Sequence, residues 1–150
     1  MACPSRYTET AMANLEIQNR EKESIAILDL KGRLAVGEPC TLLREKVDQQ
    51  LNDGNQKIIL NLKHVDYIDS TGLGTMVICF TRLQKGGGAL KLVNLNRRNI
   101  ELLLLTKLST VMQIFGDEQE AVNSFFPERE IKHFDILNFI QQQKESEQAG

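Results

Sequence analysis

"IILNLKHVDYIDSTGLGT", residues 58 to 75, lies near the middle of a chain of 150 residues. The apolar run from Lys57 to Leu62 is nearly continuous, the pattern of a strand buried on both faces. Beyond Asp69-Ser70-Thr71, Leu73, Met76, Val77, Phe80 and Leu83 recur at helical spacing and should face a sheet. The helix runs to about Lys85 and is stopped by Gly86-Gly87-Gly88. Its first turn carries Gly72 and Gly74, each of which weakens a helix by about 1 kcal/mol relative to alanine. A strand at Ala89 to Leu95 follows, and a strand–helix–strand crossover implies parallel pairing.

Working outward, Leu15 to Gln18 and Ile25 to Leu30 read as two strands with a turn at Asn19 to Glu23, an antiparallel edge. Gly37-Glu38-Pro39 opens a helix on which Cys40, Leu43, Val47 and Leu51 share a face, and Asn52-Asp53-Gly54 stops it. Arg97 to Leu108 is a leucine-rich helix, Val111 to Phe115 a short strand, and Glu118 to Phe126 and Glu130 to Gln143 are helical. Alternating strands and helices predict an α/β fold, a small mixed sheet packed by helices. The expected organisation is a flexible tail over 1–13, one domain over 14–126, and a helical extension over 127–150 with a frayed end. In that extension Ile131, Phe134, Leu137 and Ile140 are spaced three apart. The stripe packs on the domain itself or offers a homodimer or partner contact.

The composition, 41% hydrophobic and 25% charged, is ordinary for a globular domain. A net charge of -2 without blocks of like charge argues against a nucleic-acid footprint or a polybasic membrane patch. The longest nearly uncharged apolar run, about 71 to 81, is too short to span a bilayer. The N-terminal residues carry no basic segment followed by an apolar one, hence no secretory signal. Cys3, Cys40 and Cys79 are scattered, no CxxC exists, and the two histidines are His64 and His133. That pattern supports neither a zinc site nor a disulfide framework and suits a reducing cytoplasm.

Four chemistries compete for Asp69-Ser70-Thr71-Gly72-Leu73-Gly74. Asp69 or Ser70 can simply cap the helix, which leaves the glycines unexplained. A nucleophile elbow would need glycine where Ile68 stands, and neither His64 nor His133 has the spacing of a partner base. A phosphate cradle for a nucleotide lacks both the third glycine and the Gly-Lys-Ser/Thr ending. The fourth reading makes a hydroxyl here a phosphoryl acceptor. A phosphate at a helix start meets unpaired N–H groups and the positive dipole end, and it adds about -1.5 to -2 charges beside Asp69. In this reading Gly72 and Gly74 keep the backbone bare for a partner. Thr71, Thr75, Ile78 and Arg82 form the outward stripe, with Ile78 an apolar residue that the core does not claim.

Residues 58 to 75 resemble the STAS domain (sulfate transporter and anti-sigma factor antagonist), whose soluble bacterial antagonists carry Asp-Ser-Ser/Thr-Gly-Leu-Gly after a strand of this kind. The likeness extends from about Leu15 to Phe126. It implies a mixed sheet of four to five strands with helices packed on one side. It also implies a phosphorylation switch without catalytic machinery or cofactor of its own. Ser70, with Thr71 as a secondary acceptor, would be phosphorylated by an anti-sigma factor serine kinase that brings the ATP. The unphosphorylated form would bind that kinase and release the sigma factor, and a serine phosphatase would reset the system. The surface so implied comprises Asp69, Ser70, Thr71, Gly72, Gly74, Thr75, Ile78 and Arg33. Many antagonists carry Gly-x-Leu-Asp after the second strand; here the run is Gly32-Arg33-Leu34-Ala35, with the acid missing and a positive charge added. Competing readings are a non-catalytic STAS scaffold or adaptor in a stress-sensing or membrane-transport complex, and a nucleotide-binding module.

Overall fold

The computed structural model describes residues 15–129 and 139–140. The tail over 1–13 and most of the C-terminal extension, including Ile131, Phe134 and Leu137, lie outside the described residues. In chain order the elements are β1 (Leu15–Lys22), β2 (Ile25–Leu34), α1 (Glu38–Asn52), β3 (Lys57–Ile68) and α2 (Ser70–Lys85). Then come β4 (Ala89–Val93), α3 (Arg97–Leu105), a 3-10 turn (Leu108–Thr110), β5 (Gln113–Phe115) and α4 (Glu118–Asn123).

The five strands lie in sequential order in one mixed sheet. β1 and β2 pair antiparallel, and β2, β3, β4 and β5 pair parallel through helical crossovers. The β1–β2 turn falls at Glu23-Ser24, both at positive φ (52° and 68°), rather than over Asn19 to Glu23. Residues 18 to 22 are polar because they form an exposed edge strand; a turn was the wrong inference from that polarity. β3 is likewise twice the expected length: its second half, polar at Lys63, His64, Asp66 and Tyr67 around the buried Val65, still pairs with β2 as far as Ile68.

The main core lies between one face of the sheet and α1, α2 and α3. Leu28, Leu60, Leu62 and Leu92 meet Leu43, Val47, Met76, Leu83, Ile100 and Leu103 there, all essentially fully buried. Isoleucines and leucines of this kind each contribute roughly 1.5–3 kcal/mol by leaving water. α4 lies on the opposite face, where Ala121 and Val122 cover Ile25, Ile27, Ile59, Val93 and Phe115. Helices therefore cover both faces, the three longer ones together on one side and the short α4 on the other. That second face also buries Lys91, whose Nζ donates to the carbonyl and hydroxyl oxygens of Ser124 just after α4. From the extension, Ile140 is buried in the main core and Phe139 packs against it.

Candidate functional site

The C-terminal ends of β2 and β3 sit side by side, with Arg33 opposite Tyr67 and Leu34 opposite Ile68. This pairing brings the start of α2 against β2. The Asp69 amide donates to the Leu34 carbonyl at 3.2 Å. Asp69 is the N-cap of α2: its Oδ1 accepts from the Gly72 amide at 2.7 Å and its Oδ2 from the Val36 amide at 2.9 Å. One carboxylate thus caps a helix and anchors the loop that follows β2. These backbone donors, Gly72 first, hold its carboxyl below the usual carboxylate range, and the Arg33 charge acts in the same direction.

Gly72 is buried, and its position corrects the idea that both glycines keep a surface bare. A Cβ at Gly72 would lie 2.1 Å from the Leu34 carbonyl oxygen, so the residue is absent a side chain because β2 occupies the space. Gly74 is different: it is exposed and a Cβ there would meet nothing within 4 Å. Thr75 is a second correction. Expected on the outward stripe, it is 4% exposed, and its hydroxyl donates to the Thr71 carbonyl at 3.0 Å. The close approach at Gly72 turns the helix so that positions 72, 75, 76 and 79 face inward.

Ser70 and Thr71 are exposed at the first turn of α2. Ile78, also exposed, lies eight residues along the helix from Ser70, about 12 Å at the usual rise. Ser70 opens onto a cleft of about 390 Å³, one wall formed by Tyr67 and Asp69 and the other by Arg98, Glu101 and Leu105 of α3. The second wall is fixed by two amides: Asn96 and Asn99 both donate to the Val65 carbonyl (3.2 and 3.1 Å), and Asn96 caps α3 by accepting from the Asn99 amide. Arg33 is exposed, its guanidinium 5.0 Å from the Tyr67 ring centroid. Arg98 makes the same contact at 5.0 Å.

Three residues around the Asp69–Ser70 corner escaped the sequence reading: Arg98 and Leu105, which line the cleft with Ser70, and Val36, whose amide donates to Asp69. Val36 is 69% and Leu105 83% exposed, so apolar side chains stand in water next to the Asp69 cap and in the cleft. A signal for Leu105 existed, because four consecutive leucines (Leu102 to Leu105) cannot all face one side of a helix. For Arg98 there was none, since its proximity depends on how α3 docks on β3. Among the described residues, no group of three His, Cys, Asp or Glu side chains could hold a metal ion, and no helix is long and apolar enough to cross a membrane.

The sheet order, the strand-to-helix junction at Asp69 and the cleft beside it define a STAS domain. The family's sequence model matches residues 16–121, and the chain belongs to that family. Among characterised relatives it is similar to the anti-sigma-B factor antagonist of Bacillus subtilis, at 34% identity over 109 residues covering 73% of this chain and 98% of the relative. The anti-sigma F factor antagonist of Paenibacillus polymyxa is 26% identical over 110 residues, 73% of this chain and 93% of the relative. Among solved structures, the phosphorylated form of the Bacillus cell-fate determinant SpoIIAA superposes with a TM-score of 0.58 at 20% identity. That superposition covers 73% of this chain and 99% of that one, a likeness of fold alone.

Proposed function

We propose that this protein is an anti-sigma factor antagonist switched by phosphorylation of Ser70, in the cytoplasm of a bacterium. The observation that carries the reading is Ser70 itself: an exposed hydroxyl at the start of α2, beside a carboxylate fully engaged as a cap. A hydroxyl needed for capping would be tied to backbone amides, whereas here Asp69 does that work and leaves Ser70 available. Membership of the STAS family and the names of the relatives support the antagonist role.

In the proposed cycle the unphosphorylated protein binds an anti-sigma factor serine kinase and frees the sigma factor. Bound to the partner, ATP donates its γ-phosphoryl group: the Ser70 Oγ–P bond forms, the bond to the β-phosphate oxygen breaks, and ADP leaves. The hydroxyl proton passes to a base of the kinase. A phosphatase hydrolyses the ester with water and restores the hydroxyl. The docking surface comprises Asp69, Ser70, Thr71, Gly74, Ile78 and Arg33, extended by Val36 and Leu105. Ile140 is buried in the core and Phe139 packs against it, which supports packing of these two residues on their own domain rather than in a dimer contact.

The test is incubation with each anti-sigma kinase of the source genome and ATP, followed by mass-spectrometric mapping. Phosphate on Ser70, abolished by Ser70→Ala, is expected. Phosphate on neither Ser70 nor Thr71 with any of these kinases would sink the reading.

A further inference from the structure

Most arginines whose contacts are described have an acidic partner. Arg20 pairs with Asp29 and Glu118, Arg82 with Asp48, Arg97 with Glu101, and Arg129 with Glu23. Arg33 and Arg98 differ. Among the described residues neither forms an ion pair or donates a hydrogen bond, and the partner of both is one aromatic ring, Tyr67, at 5.0 Å. They reach it from different elements: Arg33 from β2, directly opposite Tyr67 in the register, and Arg98 from the first turn of α3. Tyr67 lies three residues before Ser70, and Arg98, Tyr67 and Ser70 line the same cleft. The acid across the cleft, Glu101, is already engaged by Arg97 at 3.4 Å. Two exposed cations are thus parked on a ring beside a hydroxyl, with their donor forks unfilled.

We propose that Arg33 and Arg98 are the receptor for a phosphoryl group on Ser70. Once the ester forms, both guanidiniums turn from the Tyr67 ring to the phosphate oxygens. Planar guanidinium forks match phosphate geometry, and charge-assisted hydrogen bonds to a dianion outweigh an exposed cation–ring contact. The phosphate would then be neutralised where it stands. A partner would lose two arginine donors and an open cleft at the same moment that it met a new anion. This rests on Ser70 being the modified residue, and it adds a second component to the switch: withdrawal of Arg33 from the docking surface and of Arg98 from the cleft wall beside it.

The experiment separates the two readings by installing phosphoserine at position 70 during translation, so that no kinase is needed. The second ionisation of the phosphate is followed by 31P NMR during a pH titration, its exposed value being about 6. Charged groups facing it are Asp69 and Glu101, which raise that value, and Arg33 and Arg98, which lower it; the amide ends of α2 act equally in all variants. We expect the wild-type value to lie at least about one unit below that of the Arg33→Gln/Arg98→Gln double variant, with each single variant between. Equal values in wild type and double variant would overturn the receptor while leaving the kinase result untouched. Both side chains are exposed, so the variants should fold; should the double variant fail, the two single variants decide by the same criterion. Arg98→Lys should recover part of the lowering, which a merely structural role would not predict.

Discussion

Gly72 and Gly74 belong to one turn of one helix, yet alanine should have opposite effects at the two positions. At Gly72 the new Cβ would sit 2.1 Å from the Leu34 carbonyl oxygen and 2.9 Å from its carbon, well over an ångström inside ordinary contact. The obstacle is backbone, and it is held: Leu34 is paired with Ile68, and its carbonyl accepts the Asp69 amide. Relief requires α2 to move off the sheet, loosening the packing of Leu73 and Met76, or β2 to lose its last pairing. Overpacking of a well-filled site costs about 1–3 kcal/mol, against about 1 kcal/mol returned by alanine's helix propensity. With an immovable neighbour the upper end applies, for a net loss of about 2 kcal/mol and a Tm lower by roughly 8 °C in a domain of this size. At Gly74 nothing lies within 4 Å, so Gly74→Ala should gain about 0.5–1 kcal/mol and raise Tm by a few degrees. Thermal melts followed by circular dichroism, with urea denaturation to check that the m-value is unchanged, read both numbers. A Gly72→Ala protein as stable as wild type would refute the close-approach argument. If Gly74 is kept free of a side chain for docking, the more stable Gly74→Ala protein should also bind the kinase more weakly.

Asp69→Ala should cost about 1 kcal/mol as a lost cap, while Asp69→Asn should keep most of it. Because the folded-state carboxyl titrates below its unfolded value, its contribution is present above about pH 4 and fades as pH falls through the folded value. Acid denaturation of Asp69→Asn should lack that component, and an unchanged acid profile would contradict the cap's electrostatic role. Ile78→Lys should leave the melting curve within about 0.5 kcal/mol of wild type, as for exposed sites generally, but weaken kinase binding in a pull-down or calorimetric titration. A large loss of stability would mean that Ile78 serves the core.

The sequence carried the sheet's connectivity because the apolar runs of β2, β3 and β4 and the helices between them leave few arrangements open. Boundaries were harder where a strand is exposed. Residues 18 to 22 of β1 are polar, as are 63 to 67 of β3 apart from the buried Val65, so little in the local sequence distinguishes an edge strand or a projecting strand end from a loop. The site was legible only through its motif. That Asp69 is the cap and Ser70 the free hydroxyl follows from the Val36 and Gly72 amides, a contact spanning 33 residues in the first case. Thr75 misled for a related reason. Helical periodicity fixes which residues share a face, but the phase of that face was set by the Gly72 contact with Leu34, which no window of sequence contains.

Among the described residues, the order β1 to β5 leaves β1 and β5 as the two borders of the sheet. β5 offers only three residues, and β1 carries Glu16, Arg20, Glu21 and Lys22 along its length. A short border and a charged one are poor templates for a strand from another chain. Partners that bind by extending a sheet are therefore discouraged at both ends. Under the proposed switch, recognition would fall on the start of α2 and the cleft beside it, where affinity has to come from side-chain chemistry that a single covalent modification would reverse.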